Sequence, residues 1–185
     1  MTAKPGGPDF KRLLEAGGLA ELGPGLRKGI IEQTALNNEL DSLFGSTNLT
    51  VVSKELIRGL ILLWHDHFDA AHEISQAIEN ADGSFVHGIL HRREPDYGNA
   101  AYWFRRVGTH ASFAGLAKRV ADLPALKDEA ALKTELMPRG YWDPFAYIHL
   151  CEKAAGKLPS DARVILLREI QGVETEVLLE HFLTR

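Results

Sequence analysis

Six of the chain's eight histidines, His65, His67, His72, His87, His91 and His110, fall between residues 64 and 110. The same stretch carries Arg92, Arg93, Arg105 and Arg106 with Tyr97, Tyr102 and Trp103. Such polar side chains are costly to bury unless they are paired. Gathered among aromatics, they describe the lining of a site. Imidazole nitrogen and carboxylate oxygen are ligands that zinc, iron, manganese or nickel accepts, so a divalent metal is the first chemistry to consider.

Spacing sorts the candidates. At about 100° per residue, His65, Asp69, His72 and Gln76 fall within roughly 60° of one another on a helix. His65, Asp69 and His72 therefore offer three ligands on one stripe. His67 points instead with Leu60, Leu63, Ala71 and Ile74, and reads as a core histidine bonded to a carbonyl. His87 and His91 lie one helical turn apart and face the same way, so they can grip one ion or orient one substrate group. A short Asp82-Gly83 connection would fold a helix over 85–93 back beside its predecessor and bring the two histidine stripes together. Glu73 or Glu94 is then the candidate general base toward metal-bound water. Arg92, Arg93, Asn99 and Arg106 are candidate anchors for an anionic or polar substrate, with Tyr102 beside them. None of these spacings is as diagnostic as His-Glu-x-x-His.

The sequence expectation is a small metal-dependent enzyme of hydrolytic or oxygen chemistry. The alternative is a non-enzymatic protein that binds a small anionic ligand or a protein partner, its His and Arg residues forming a hydrogen-bond network. In that case Arg92 or Arg93 would pair with Glu94, Asp96 or Asp69. A third reading is a homo-oligomer whose Arg-aromatic surface is a subunit contact. Elsewhere, His149 and Glu152 read as a buried hydrogen-bonded pair, His181 as a partner for a helix C-terminus, and Cys151 as an inert buried thiol.

The elements that must position these groups read as helices throughout. Apolar residues at 3-4 spacing (Leu56, Leu60, Leu63, Ala71, Ile74, Ile78) predict one long helix over 51–80, capped by Thr50 or Ser53. Val164, Leu167, Ile170, Val173, Val177 and Leu178 predict a second over 161–183, capped by Ser160. Shorter helices are expected over 10–16, 26–36, 85–93 (capped by Ser84), 98–107, 111–122, 125–136 and 144–155. Pro95 stops the helix before it, and Pro144 suits a helix start. No alternating run bounded by hairpin turns suggests strands. The expected fold is an all-α bundle of a single domain over residues 10–185, with helices 51–80 and 161–183 as its spine and residues 1–9 as a flexible tail.

Composition sets the outer bounds. The chain has 185 residues, 45% hydrophobic and 25% charged, with a formal net charge of −4. That balance excludes global disorder and makes nucleic acid an unlikely partner, because no basic surplus is present. No apolar run approaches the roughly 18 residues of a membrane helix. The first 20 residues lack an apolar signal core, and the single cysteine, Cys151, excludes an internal disulfide. The simplest expectation is a reduced cytoplasmic protein. No phosphate loop or Gly-x-Gly-x-x-Gly suggests a nucleotide cofactor.

The run from His91 to Gly108, His-Arg-Arg-Glu-Pro-Asp-Tyr-Gly-Asn-Ala-Ala-Tyr-Trp-Phe-Arg-Arg-Val-Gly, with His72-Glu73-Ile74-Ser75-Gln76 upstream, resembles a family of small uncharacterised bacterial and fungal proteins. The resemblance covers about residues 60–115. It implies no catalytic assignment, and marks the segment that spacing and composition mark.

Overall fold

The apolar run Leu60-Ile61-Leu62-Leu63-Trp64 is buried on every side. A computed structural model, which describes residues 9–25 and 27–184, shows why: helix packs on helix around it, with no strand among the described residues. The helices are α1 (Lys11–Glu15), α2 (Gln33–Phe44), α3 (Val51–Trp64), α4 (Phe68–Ala77), α5 (Ala81–Arg93), α6 (Tyr97–Val107), α7 (Ser112–Ala121), α8 (Ala130–Leu136), α9 (Pro144–Ala154) and α10 (Ala162–Leu183). Short 3-10 turns at Pro124–Leu126 and Pro138–Gly140 flank α8. The expected all-α fold is present. No helix among the described residues is long and apolar enough to cross a membrane. The expected tail lies almost wholly outside the described residues.

The expected helix over 51–80 is two helices. Asp66 adopts a left-handed backbone (φ 64°). The His67 amide donates to Leu62 O at 3.0 Å and the Asp66 amide to Leu63 O at 3.1 Å. That pair of bonds is a Schellman ending, with Asp66 where glycine is usual. Tertiary contacts hold it there. The Asp66 carboxylate accepts from Arg93 Nη2 at 2.6 Å and Arg27 Nε at 3.0 Å. His65 Nε2 donates to Leu13 O at 2.8 Å, while its Nδ1 accepts from the Ile31 amide at 3.1 Å. Burial keeps the His65 pKa below its ordinary value. His67 Nε2 donates to Ile31 O at 2.8 Å, the carbonyl bond expected of it. The expected helix over 26–36 forms only from residue 33 on: residues 27–32 are not helical, and Ile31 bonds both histidines through its amide and carbonyl. Helix α2 begins at Gln33, capped by Glu32. Leu26 lies outside the described residues.

Helix α5 is the centre of the bundle. All its residues but Ala81 are buried, and it packs against α3, α4 and α6. It begins earlier than expected. Asn80, not Ser84, caps it by accepting from the Gly83 amide at 2.9 Å. Asp82 and Gly83 therefore open this helix instead of ending the one before. A Cβ on Gly83 would lie 2.1 Å from Ile78 O, so glycine is what lets α4 turn so tightly into α5. Gly88 has the same role toward α6, since its Cβ would lie 2.7 Å from Phe104 Cε2. Gly88→Ala should cost about 1–3 kcal/mol in urea denaturation, by pushing α6 off α5. Helix α10 remains the long spine element, capped by Asp161 in place of Ser160, and packs on α3, α7 and α9.

Candidate functional site

The tight α4–α5 turn sets His72 against the middle of α5. His87 and His91 stack with ring centroids 4.7 Å apart, and His72 meets them edge-on at 4.6 and 5.5 Å. Each of the three offers a ring nitrogen within 4.8 Å of the others. The short α5–α6 connection then matches residues one turn apart on each helix. Trp103 stacks on His87 at 4.0 Å, and Asn99 Nδ2 lies 3.2 Å from His91 Nε2. His91 Nδ1 lies 2.9 Å from Glu94 Oε2. With the proton on Nδ1, this bond leaves the Nε2 lone pair for the cluster, as a carboxylate commonly does for a metal-binding histidine.

Burial governs the protonation of the pair on α5. His87 is 2% exposed, and neither of its ring nitrogens has a hydrogen-bond partner among the described residues. Burial, with His91 and His72 beside it, pushes its pKa down to about 3. Burial also lowers His91, while Glu94 pulls in the opposite direction. Both rings are therefore neutral near pH 7, as metal ligation requires. His72 is half-buried, so the cluster is reached from its side.

Two expected ligands are elsewhere. The 100° register that joined His65 and Asp69 to His72 is broken at Asp66. His65 is spent on Leu13 and Ile31, and Asp69 sits exposed in the first turn of α4. Among the general-base candidates, Glu94 touches the cluster through His91, whereas Glu73 is exposed on α4. Tyr102 is 48% exposed and edge-on to Trp103 at 5.4 Å. Arg106, also exposed, lies with its guanidinium 5.2 Å from the Trp103 ring and has no ion pair among the described residues.

Arg92 and Arg93 are not available to a substrate. Both are 1% exposed. Arg92 makes a two-point pair with Glu174 on α10, and its guanidinium lies 4.3 Å from the Tyr147 ring. Arg93 donates to Asp66, Leu63 O and Glu21 O. Their partners are Glu174 and Asp66, not the expected Glu94, Asp96 or Asp69. The polarity that suggested anchors belongs to the core because α5 runs through it. His149 and Glu152 are an exposed pair at 3.6 Å, not a buried one. Cys151 is buried, and burial pushes its thiol up to about 11.

Sequence reasoning counted Trp103 only among the aromatics of the segment and missed its stacking on His87. The matched i, i+4 pairs on α5 (His87, His91) and α6 (Asn99, Trp103), across a short loop, were the signal for it. No protein-family model matches the chain, and neither a curated protein nor a solved structure matches it, so the site is argued from its own geometry.

Proposed function

We propose that His72, His87 and His91 hold one divalent transition-metal ion, and that the chain is a small metal-dependent enzyme of hydrolytic or oxygen chemistry. The observation that carries this reading is His87. A buried polar atom without a partner costs about 1–3 kcal/mol, and His87 has two such nitrogens beside two further imidazoles. A metal bond satisfies one of them. Three neutral nitrogen ligands suit zinc, iron or nickel better than manganese. With bonds of about 2.0–2.1 Å, tetrahedral ligands lie about 3.3 Å apart, so the three rings would draw together on loading, with Asn99 yielding His91 Nε2.

A metal held by three protein ligands keeps an open position, and when bound it polarises a substrate oxygen or acidifies a water. Around that position the chain's own groups have distinct work. Glu94 fixes the His91 tautomer and can take a proton at its free oxygen. Trp103 walls off water on the His87 side. Arg106 and Tyr102, at the exposed rim, can meet an anionic or polar substrate.

Metal content of tag-free protein, purified without chelator, tests the ligand set. His87→Ala and His91→Ala should each cut retention of the ion at this site more than tenfold, with far-UV circular dichroism unchanged. His65→Ala should leave the metal content as it is. Equal metal content in His87→Ala, His91→Ala and the parent chain would overturn the assignment.

A further inference from the structure

A second group of ligand-type side chains lies at the opposite end of α5. Asp82 stands in its first turn, His110 in the loop before α7, and His181 in the last turn of α10. Three separate parts of the chain thus meet at one carboxylate oxygen. His110 Nε2 lies 2.9 Å and His181 Nε2 3.0 Å from the same Asp82 Oδ1. The two rings are 4.9 Å apart, centre to centre. Asp82 is 4% exposed and His110 6%. Phe85 closes one side, edge-on to His110 at 5.1 Å.

We propose that Asp82, His110 and His181 form a second divalent-cation site, of two imidazoles and one carboxylate. Ligand atoms around a tetrahedral ion with bonds near 2.1 Å sit about 3.3 Å apart. Two of the three edges of the required triangle are already close to that length. The nitrogen of His110 that faces away is also held: its Nδ1 lies 2.6 Å from Ser112 Oγ and 3.2 Å from the Ser112 amide. Without a cation, Nδ1 accepts from Ser112 and Nε2–H donates to Asp82. With a cation, the ring takes the other tautomer: it gives up the bond from the Ser112 amide, Nδ1–H donates to the rotatable Ser112 hydroxyl alone, and Nε2 turns its lone pair to the ion. The oxygen ligand widens the choice of ion to manganese and iron beside zinc. Such an ion would tie the start of α5 to the end of α10. The argument uses none of the residues of the first site.

Cobalt(II) titration of the chelator-treated full chain tests this, followed by visible absorption and by equilibrium dialysis with elemental analysis. The chain should take up two equivalents. His72→Ala/His87→Ala should keep one, and adding Asp82→Asn or His181→Gln should remove it. Asp82→Asn preserves an acceptor for both rings, and His181→Gln is a second route should it fail to fold. One equivalent in the parent chain and none in His72→Ala/His87→Ala would overturn this site and leave the first standing. One equivalent that survives in His72→Ala/His87→Ala but not in Asp82→Asn would establish this site and remove the first. No uptake at all would remove both.

Discussion

Arg92→Ala should destabilise the protein by about 3–5 kcal/mol in urea denaturation, the largest effect expected from a single side chain here. Glu174 is wholly buried and meets Arg92 at two points. Burial would lower the Arg92 pKa, but the Glu174 carboxylate more than reverses this and holds it above its ordinary value. Removing the guanidinium strands a carboxylate in the core between α5 and α10, and also vacates the space beside Tyr147. The cost belongs to the stranded charge more than to the pair, since two buried ions gain little over two well-packed apolar groups. Arg92→Met/Glu174→Leu should therefore regain most of the loss. A loss below about 1 kcal/mol in Arg92→Ala would mean that Glu174 reaches water.

Acid should destabilise the metal-free protein well before its carboxylates titrate, with His87 as the main cause. An imidazole with a native pKa of about 3 and an ordinary value of 6.5 holds fewer protons folded than unfolded between those limits. Stability is then full above pH 6.5, falls as pH drops through that value, and levels off below pH 3. Each pH unit inside the window costs about 1.4 kcal/mol, so about 3 kcal/mol should be gone at pH 4.5. His65 and His91, lowered by their own burial, add in the same direction. The comparison that isolates His87 is chelator-treated parent against His87→Gln, by urea denaturation at pH 7 and 4.5. The variant should lose markedly less stability on acidification. Equal losses would show that water or another partner already serves the His87 ring.

The all-helical class, the long C-terminal helix and the His87–His91 pair were legible because each depends on residues three or four apart. Local periodicity reports the face of a helix, and faces of single helices are what those expectations concern. His67 makes the expected carbonyl bond, but to Ile31, 36 residues away, a partner that spacing along one helix does not reveal. The His65–Asp69–His72 stripe failed because it assumed that one helix continued through Asp66. Nothing local forbids that helix; Arg27 and Arg93, 39 and 27 residues away, hold the carboxylate that turns the chain. Arg92 and Arg93 were misread for a related cause. A side chain of fixed polarity is an anchor on a surface and a cross-link in a core, and only packing says which.

By itself, then, the sequence determined the helical class, the segment that carries the histidines and the pairing of His87 with His91. Tertiary structure decided which third histidine joins them, which arginines remain free, and that Asp82, His110 and His181 meet. The physical reason is that helical spacing is a property of neighbours along the chain. Convergence depends on the turn at Asp66, which the distant Arg27 and Arg93 hold, and on how closely neighbouring helices approach α5 at Gly83 and Gly88.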